Sequence, residues 1–196
     1  MHRIVIATAA VVWLLVASQA AQAHDVVAGV GGFSGGLLHP LLVPAHALAL
    51  VALGLTLGQP GRLGYAGLLL FAAGLVAGIA LIVTAFAIAT DLAVLAVAAV
   101  AGIALAVGRP LPVAMSGPLA AVAGLAIALD SVPEEISMQT TFLALVGTAL
   151  SAMLLVVLLA ALPRRLSRDW QRIGLRIVGS WIAASAVLVL ALRLRR

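Results

Sequence analysis

The chain has 196 residues, is 65% hydrophobic and only 9% charged, and carries a net charge of +5 from eleven arginines and no lysine. Soluble domains are usually about 25% charged, so this composition excludes an ordinary soluble domain. The arginines fall between apolar segments, where they act as topology determinants rather than as a nucleic-acid surface. With no cysteine, disulfides and thiolate metal sites are excluded, leaving imidazole, carboxylate and backbone groups as possible ligands.

Apolar runs recur along the chain, long enough to cross a hydrocarbon core of roughly 30 Å. They are continuous rather than alternating, which points to helices and not to a barrel. The expected fold class is all-α, a polytopic helical membrane protein with six transmembrane helices after an N-terminal signal peptide.

Residues 1–23, "MHRIVIATAAVVWLLVASQAAQA", read as that signal. Arg3 supplies a positive n-region, Ile4 to Ala17 an apolar h-region, and "AQA" a small-residue cleavage pattern. Cleavage leaves His24 as the mature N-terminus; an uncleaved first helix is the alternative, and either places residue 24 on the outer side. Residues 24–36, "HDVVAGVGGFSGG", form a short periplasmic lead-in. The transmembrane domain then occupies 37–196.

Six spans follow in order: Leu38 to Gly58, Leu63 to Ala85, Leu92 to Val107, Val113 to Leu129, Met138 to Leu162, and Ile173 to Leu192. Arginine placement orients them. Arg62, Arg109 and the cluster "PRRLSRDWQR" (Arg164, Arg165, Arg168, Arg172) fall in cytoplasmic connections. Asp91, Asp130, Glu134 and Glu135 fall in external ones; only the C-terminal "RLRR" opposes the scheme. This is the topology of a bacterial inner-membrane protein whose mature N-terminus is periplasmic. "AVAGIALAV" at 99–107 resembles "AVAGLAIAL" at 121–129, and Gly74 and Gly78 form a small-xxx-small pair. Close helix packing explains both.

Polar groups inside a membrane are expensive and are functional candidates. "LLHPLLVPAH" (37–46) places His39 and His46 seven residues apart with Pro40 and Pro44 between them. Seven residues are nearly two turns, so both rings share a face, about 10.5 Å apart along a straight helix. Either they mark successive positions on a path, or the helix is distorted. Pro40 is harmless in a first turn, whereas Pro44 deprives the Pro40 carbonyl of its usual partner and bends the chain. His24, His39, His46, Asp130, Glu134 and Glu135 all fall on the external side and form the candidate metal-binding set. Plainer readings compete: interfacial anchoring for the histidines, a solvated loop with capping Ser131 for "DSVPEE", and a helix cap for Asp91. Thr84, Thr90, Gln139, Thr140 and Thr141 could line a path or simply bond their own backbone.

Histidine and carboxylate without thiolate suit nickel, cobalt or zinc, and also proton relays. No phosphate-binding loop is present, so transport by this chain is not powered by its own ATP hydrolysis. No nucleophile–base constellation points to an enzyme. No permanently bound cofactor is expected; the metal ion is cargo.

At these residues the chain resembles the HupE/UreJ family of bacterial nickel permeases and hydrogenase or urease accessory proteins. That family has a cleaved signal, a His-rich mature N-terminus, six helices, and a first-helix motif of the form HPxxGxDH. "GFSGGLLHPLLVPAHALALVALGL" (32–55) matches it in spacing, with His39, Pro40 and His46 at the motif positions, Val43 in place of Gly and Ala45 in place of Asp. "GLAIALDSVPEEISM" (124–138) occupies the place of a His- and Glu-containing segment, with Asp130 and Glu134 or Glu135 standing there. The resemblance implies a secondary permease importing nickel or cobalt. It implies, alternatively, a non-transporting accessory protein that works with metalloenzyme maturation proteins. A proton-coupled permease for a non-metal solute is the third reading.

Overall fold

The computed structural model describes residues 32–59, 64–83, 90–132 and 137–195. The expected signal at 1–23, His24, Glu134 and Glu135 lie outside the described residues. Among the described residues seven α-helices follow in order: α1 (Gly32–Leu42), α2 (Pro44–Gly58), α3 (Gly64–Val83), α4 (Asp91–Val107), α5 (Val113–Asp130), α6 (Met138–Ala161) and α7 (Asp169–Leu194), with a short 3-10 turn at Pro163–Arg165. Among the described residues there is no strand. The protein is an all-helical membrane protein.

Among the described residues three helices, α3, α6 and α7, are long and apolar enough to cross a membrane, and the bent pair α1–α2 makes a fourth candidate. Helices α4 and α5 are shorter and equally apolar. Outward faces are greasy, as a bilayer requires: Leu150, Leu154 and Leu158 form an exposed stripe at four-residue spacing on α6, while Leu50, Leu53, Phe71, Val94, Ile127 and Val156 are fully buried between helices.

The largest departure from expectation is at the first span. The helix begins at Gly32 rather than Leu38, so residues 32–36 belong to the bundle and not to a lead-in. Glycine there serves packing. A Cβ on Gly36 would strike the backbone carbonyl of Ala144, and one on Gly147 would strike that of Phe33. The α1 and α6 backbones are in direct contact, a small-residue membrane interface.

Pro40 lies near the end of α1, not in its first turn. Its missing N–H would leave the Gly36 carbonyl without its helical donor. Thr148 of α6 replaces that donor: its Oγ1 donates to the Gly36 carbonyl at 3.1 Å. Thr148→Val is expected to strand this carbonyl in an apolar interface and to cost about 1–3 kcal/mol, read as a lowered unfolding midpoint in detergent. An unchanged midpoint would refute the compensation.

Pro44 sets the break. The residue before a proline is driven out of the helical region by the pyrrolidine ring, and Val43 accordingly sits at φ −86°, ψ 109°. Pro44 then starts α2 at the position where proline is best tolerated. The two helices meet at 71°. Gly32 lies against Thr140, Gly36 against Ala144, Gly54 against Val156 and Gly58 against Ala160, so α1 and α2 both advance in the same direction along α6. The pair is therefore one broken span rather than a loop that turns back. Pro44→Ala is expected to let the helix run on through Val43. The separation of spin labels at Phe33 and Ala47 should then lengthen toward the about 21 Å of a straight helix.

The remaining directions alternate as successive crossings require. Gly74 meets Ala121, and Gly78 meets Leu125 and Ala128, so α3 and α5 are parallel. Gly102 meets Gly179 and Ala183, and Arg193 reaches Asp91 at 3.4 Å, so α4 and α7 are antiparallel. Helix α4 ends at Gly108, which has φ 71° and returns its N–H to Ala104 and Leu105. Arg176 of α7 adds its Nε–H to the Ala106 carbonyl, placing positive charge at that helix C-terminus. The Arg193–Asp91 pair is exposed on both sides. Arg193→Ala should therefore shift stability by no more than about 1 kcal/mol, a contrast with Thr148→Val measurable in the same melt.

Helix α7 starts at Asp169, earlier than the expected Ile173: the Gln171 side chain accepts the Arg168 N–H, and the Gln171 N–H donates to the Arg168 carbonyl. Asp169 and Arg172 are thus helical, while Arg164 and Arg165 lie in the 3-10 turn. Asp91 opens α4, and its Oδ1 accepts the Leu92 N–H, in keeping with a helix-end role. Ser131 closes α5 by donating to the Ile127 carbonyl.

Candidate functional site

The site forms where the broken span meets the C-terminal end of α5 and the N-terminal end of α4. His46 lies in the first turn of α2 and is completely buried. The break swings α1 back so that the His39 ring lies against it, with ring centroids 5.1 Å apart and planes at 62°. A straight helix would separate these residues by about 10.5 Å. Of the two possibilities open in the sequence, successive positions or a distorted helix, the geometry is the distorted helix.

From α5, Asp130 turns inward: His46 Nε2 donates to Asp130 Oδ2 at 2.9 Å, across 84 residues of sequence. Thr90, just ahead of α4 and itself buried, donates from Oγ1 to Asp130 Oδ1 at 3.4 Å. Both carboxylate oxygens therefore have donors. The carboxylate retains 21% exposure while the imidazole has none, so Asp130 stands between the apolar interior and the bundle end. Among the described residues no arginine pairs with Asp130; Arg193 pairs with Asp91 instead. The other ring nitrogen of His46, Nδ1, is buried and has no hydrogen-bond partner among the described residues.

Three of the six expected site residues thus converge, His39, His46 and Asp130, while His24, Glu134 and Glu135 lie outside the described residues. Among the described residues no group of three His, Asp or Glu is arranged to hold a metal ion. Asp130 is engaged through a hydrogen bond to the imidazole nitrogen it faces. The donor chemistry still fits a borderline divalent ion, because a buried imidazole nitrogen without a partner is a ligand in search of one.

Two residues of the site were not legible beforehand in these roles. In the sequence Thr90 is one of several hydroxyls that could line a path, with nothing to tie it to a carboxylate. Thr148 carried a signal, since Pro40 leaves a carbonyl four residues earlier in need of a donor, but nothing local says which helix provides it. Thr141 bonds the Ser137 carbonyl of its own turn, the plain role open to a helix hydroxyl.

The site also sits on a seam. Helices α3 and α5 pack most extensively on each other, through Gly74, Gly78 and Gly124, and share far fewer contacts with α2. Helices α1, α2, α4, α6 and α7 interlock among themselves. The His46–Asp130 hydrogen bond crosses from one group to the other.

The family model described as HupE / UreJ protein matches residues 12–189. No curated protein matches the chain, and no solved structure does.

Proposed function

The chain belongs to the HupE/UreJ family, and from that footing we propose that it is a secondary permease importing nickel or cobalt across the bacterial inner membrane. The observation that carries the proposal is the buried imidazole of His46, whose Nδ1 has no hydrogen-bond partner among the described residues and whose ring touches that of His39. A satisfied core histidine would use both nitrogens.

In this reading the site opens to the periplasm. The arginine-bearing connections at the opposite end, Arg109 and Arg164 to Arg168, support a cytoplasmic assignment for that end. His39 receives the ion at the half-exposed face of α1, and His46 draws it into the bundle. His24, Glu134 and Glu135 are proposed as further donors from the connections. Entry is driven by membrane potential or by protons. The position of the site on the seam between two helix groups supports transport over a purely structural accessory role, because relative movement there would change which side the imidazoles face.

Nickel and cobalt accumulation, in cells lacking other importers of these metals, tests the reading. Expression of the protein should raise accumulation in a saturable way. Accumulation equal to the empty-vector level, with the protein present in the membrane, would contradict it.

A further inference from the structure

The short His46–Asp130 contact admits two descriptions. The residues are two ligands of one ion, or Asp130 is the hydrogen-bond partner that orients a histidine whose other nitrogen binds. We propose the second: Asp130, itself held by Thr90, is a positioning residue that fixes His46 with its proton on Nε2, so that metal is taken through Nδ1. This inference rests on the metal-permease reading above and specifies its coordination chemistry.

Distance alone does not choose, since 2.9 Å suits a hydrogen bond and is also near the separation of adjacent ligands on one ion. Hydrogen-bond accounting does choose. A carboxylate only accepts, so an imidazole nitrogen facing it carries the proton, and the neutral ring then presents a lone pair at the other nitrogen. That other nitrogen, Nδ1, is buried without a partner among the described residues. If an ion instead sat between Nε2 and Oδ2, Nδ1 would carry the proton, leaving an N–H buried with no acceptor, which is costly in an apolar bundle.

The rest of the local structure agrees. Thr90 donates to Oδ1, which leaves Oδ2 turned to the ring. No third His, Asp or Glu among the described residues completes an ion site. His39 approaches the ring of His46 from α1, giving a second imidazole within reach of a small shift in the broken helix. Carboxylate–histidine–metal chains of this kind set the tautomer and raise the basicity of the ligating nitrogen. Here the carboxylate arrives from another helix, while Ala45 beside His46 carries none. The arrangement also gives the buried hydroxyl of Thr90 an acceptor in the carboxylate.

The test uses the full chain, purified in detergent, with Co2+ and Ni2+ as probes. Metal-free protein labelled with 15N-histidine should show His46 with its proton on Nε2 and an unprotonated Nδ1. Calorimetry and the Co2+ absorption spectrum are then compared for wild type, Asp130→Asn, Asp130→Leu and Thr90→Val. The amide of Asn still accepts from Nε2, so Asp130→Asn should keep the spectrum and bind within about tenfold of wild type. Asp130→Leu should weaken binding by about 10–100-fold without changing the bound ligand set, and Thr90→Val should fall between.

A His46 proton on Nδ1 in the metal-free protein, or loss of an oxygen ligand from Co2+ in Asp130→Asn, would overturn the assignment. Wild-type protein that binds neither ion would overturn the permease reading instead, and the 15N measurement would then still decide whether Asp130 positions His46.

Discussion

His46→Ala is expected to abolish nickel and cobalt accumulation and to destabilise the bundle by about 2–4 kcal/mol. The functional loss follows from removing a ring whose nitrogens both belong to the proposed site, one on Asp130 and one without a partner among the described residues. The stability loss has two sources. A fully buried side chain is deleted, and the Asp130 carboxylate loses its nearer donor. A buried acceptor left without its donor costs about 1–3 kcal/mol, and more when it is charged, and the 21% exposure of Asp130 moves the figure toward the lower end.

His46→Gln separates the two effects. Its amide can donate to Asp130 and fills most of the volume, but it has no imidazole lone pair. Thermal stability should largely return while accumulation stays at background. If the glutamine variant transports like wild type, His46 is a structural histidine and the site assignment is wrong.

Gly36→Val should have the largest effect on folding. Its Cβ would collide with the carbonyl of Ala144, and α1 is held to α6 reciprocally by Gly147 against Phe33. The obstacle is main chain on a packed helix, so no rotamer change relieves it. Overpacking typically costs about 1–3 kcal/mol and occasionally more; a backbone collision belongs at or above the top of that range. Gly74→Val is expected to behave alike, since Gly74 and Gly124 join α3 to α5 through the carbonyls of Ala121 and Phe71. Gly174 is the control, with nothing within 4 Å of an added Cβ. Gly174→Ala should be neutral or stabilising by up to about 1 kcal/mol from helix propensity. The fraction of monodisperse protein recovered on size exclusion, together with the melting midpoint, reads all three. A Gly36→Val protein as stable as wild type would contradict the packing.

Much of this architecture was legible in the sequence because hydrophobicity and helix punctuation act locally. The runs ending at "GQPGR" and "GRPLP" stop where Gly and Pro end α2 and α4, and Gly74 and Gly78 are at a helix interface as small-xxx-small spacing suggests. The start of α1 was hidden because "GFSGG" carries the composition of a loop; its glycines are there for α6, a tertiary demand that overrides propensity. The start of α7 was hidden among arginines that read as connection, since the Gln171 side chain that accepts the Arg168 N–H comes without the usual Ser/Thr cap.

The site divides in the same way. Sequence placed His39, His46 and Asp130 at one end of the bundle and marked Pro44 as a source of bending, because proline acts on its immediate neighbours. The bond between His46 and Asp130 spans 84 residues and depends on how α2 and α5 cross, which no local pattern encodes. Nor could spacing say whether Asp130 ligates an ion or orients a ring. That distinction needed the unpartnered Nδ1 and the hydroxyl of Thr90.

Metal flux into liposomes tests the central claim most directly. Purified protein is reconstituted around a fluorescent indicator that responds to nickel and cobalt, with a membrane potential imposed. Wild-type protein should give saturable, potential-dependent entry of Ni2+ or Co2+, and His46→Gln protein, reconstituted to the same density, should give none. Wild-type vesicles no more permeable than empty ones, under both a potential and a proton gradient, would contradict a permease.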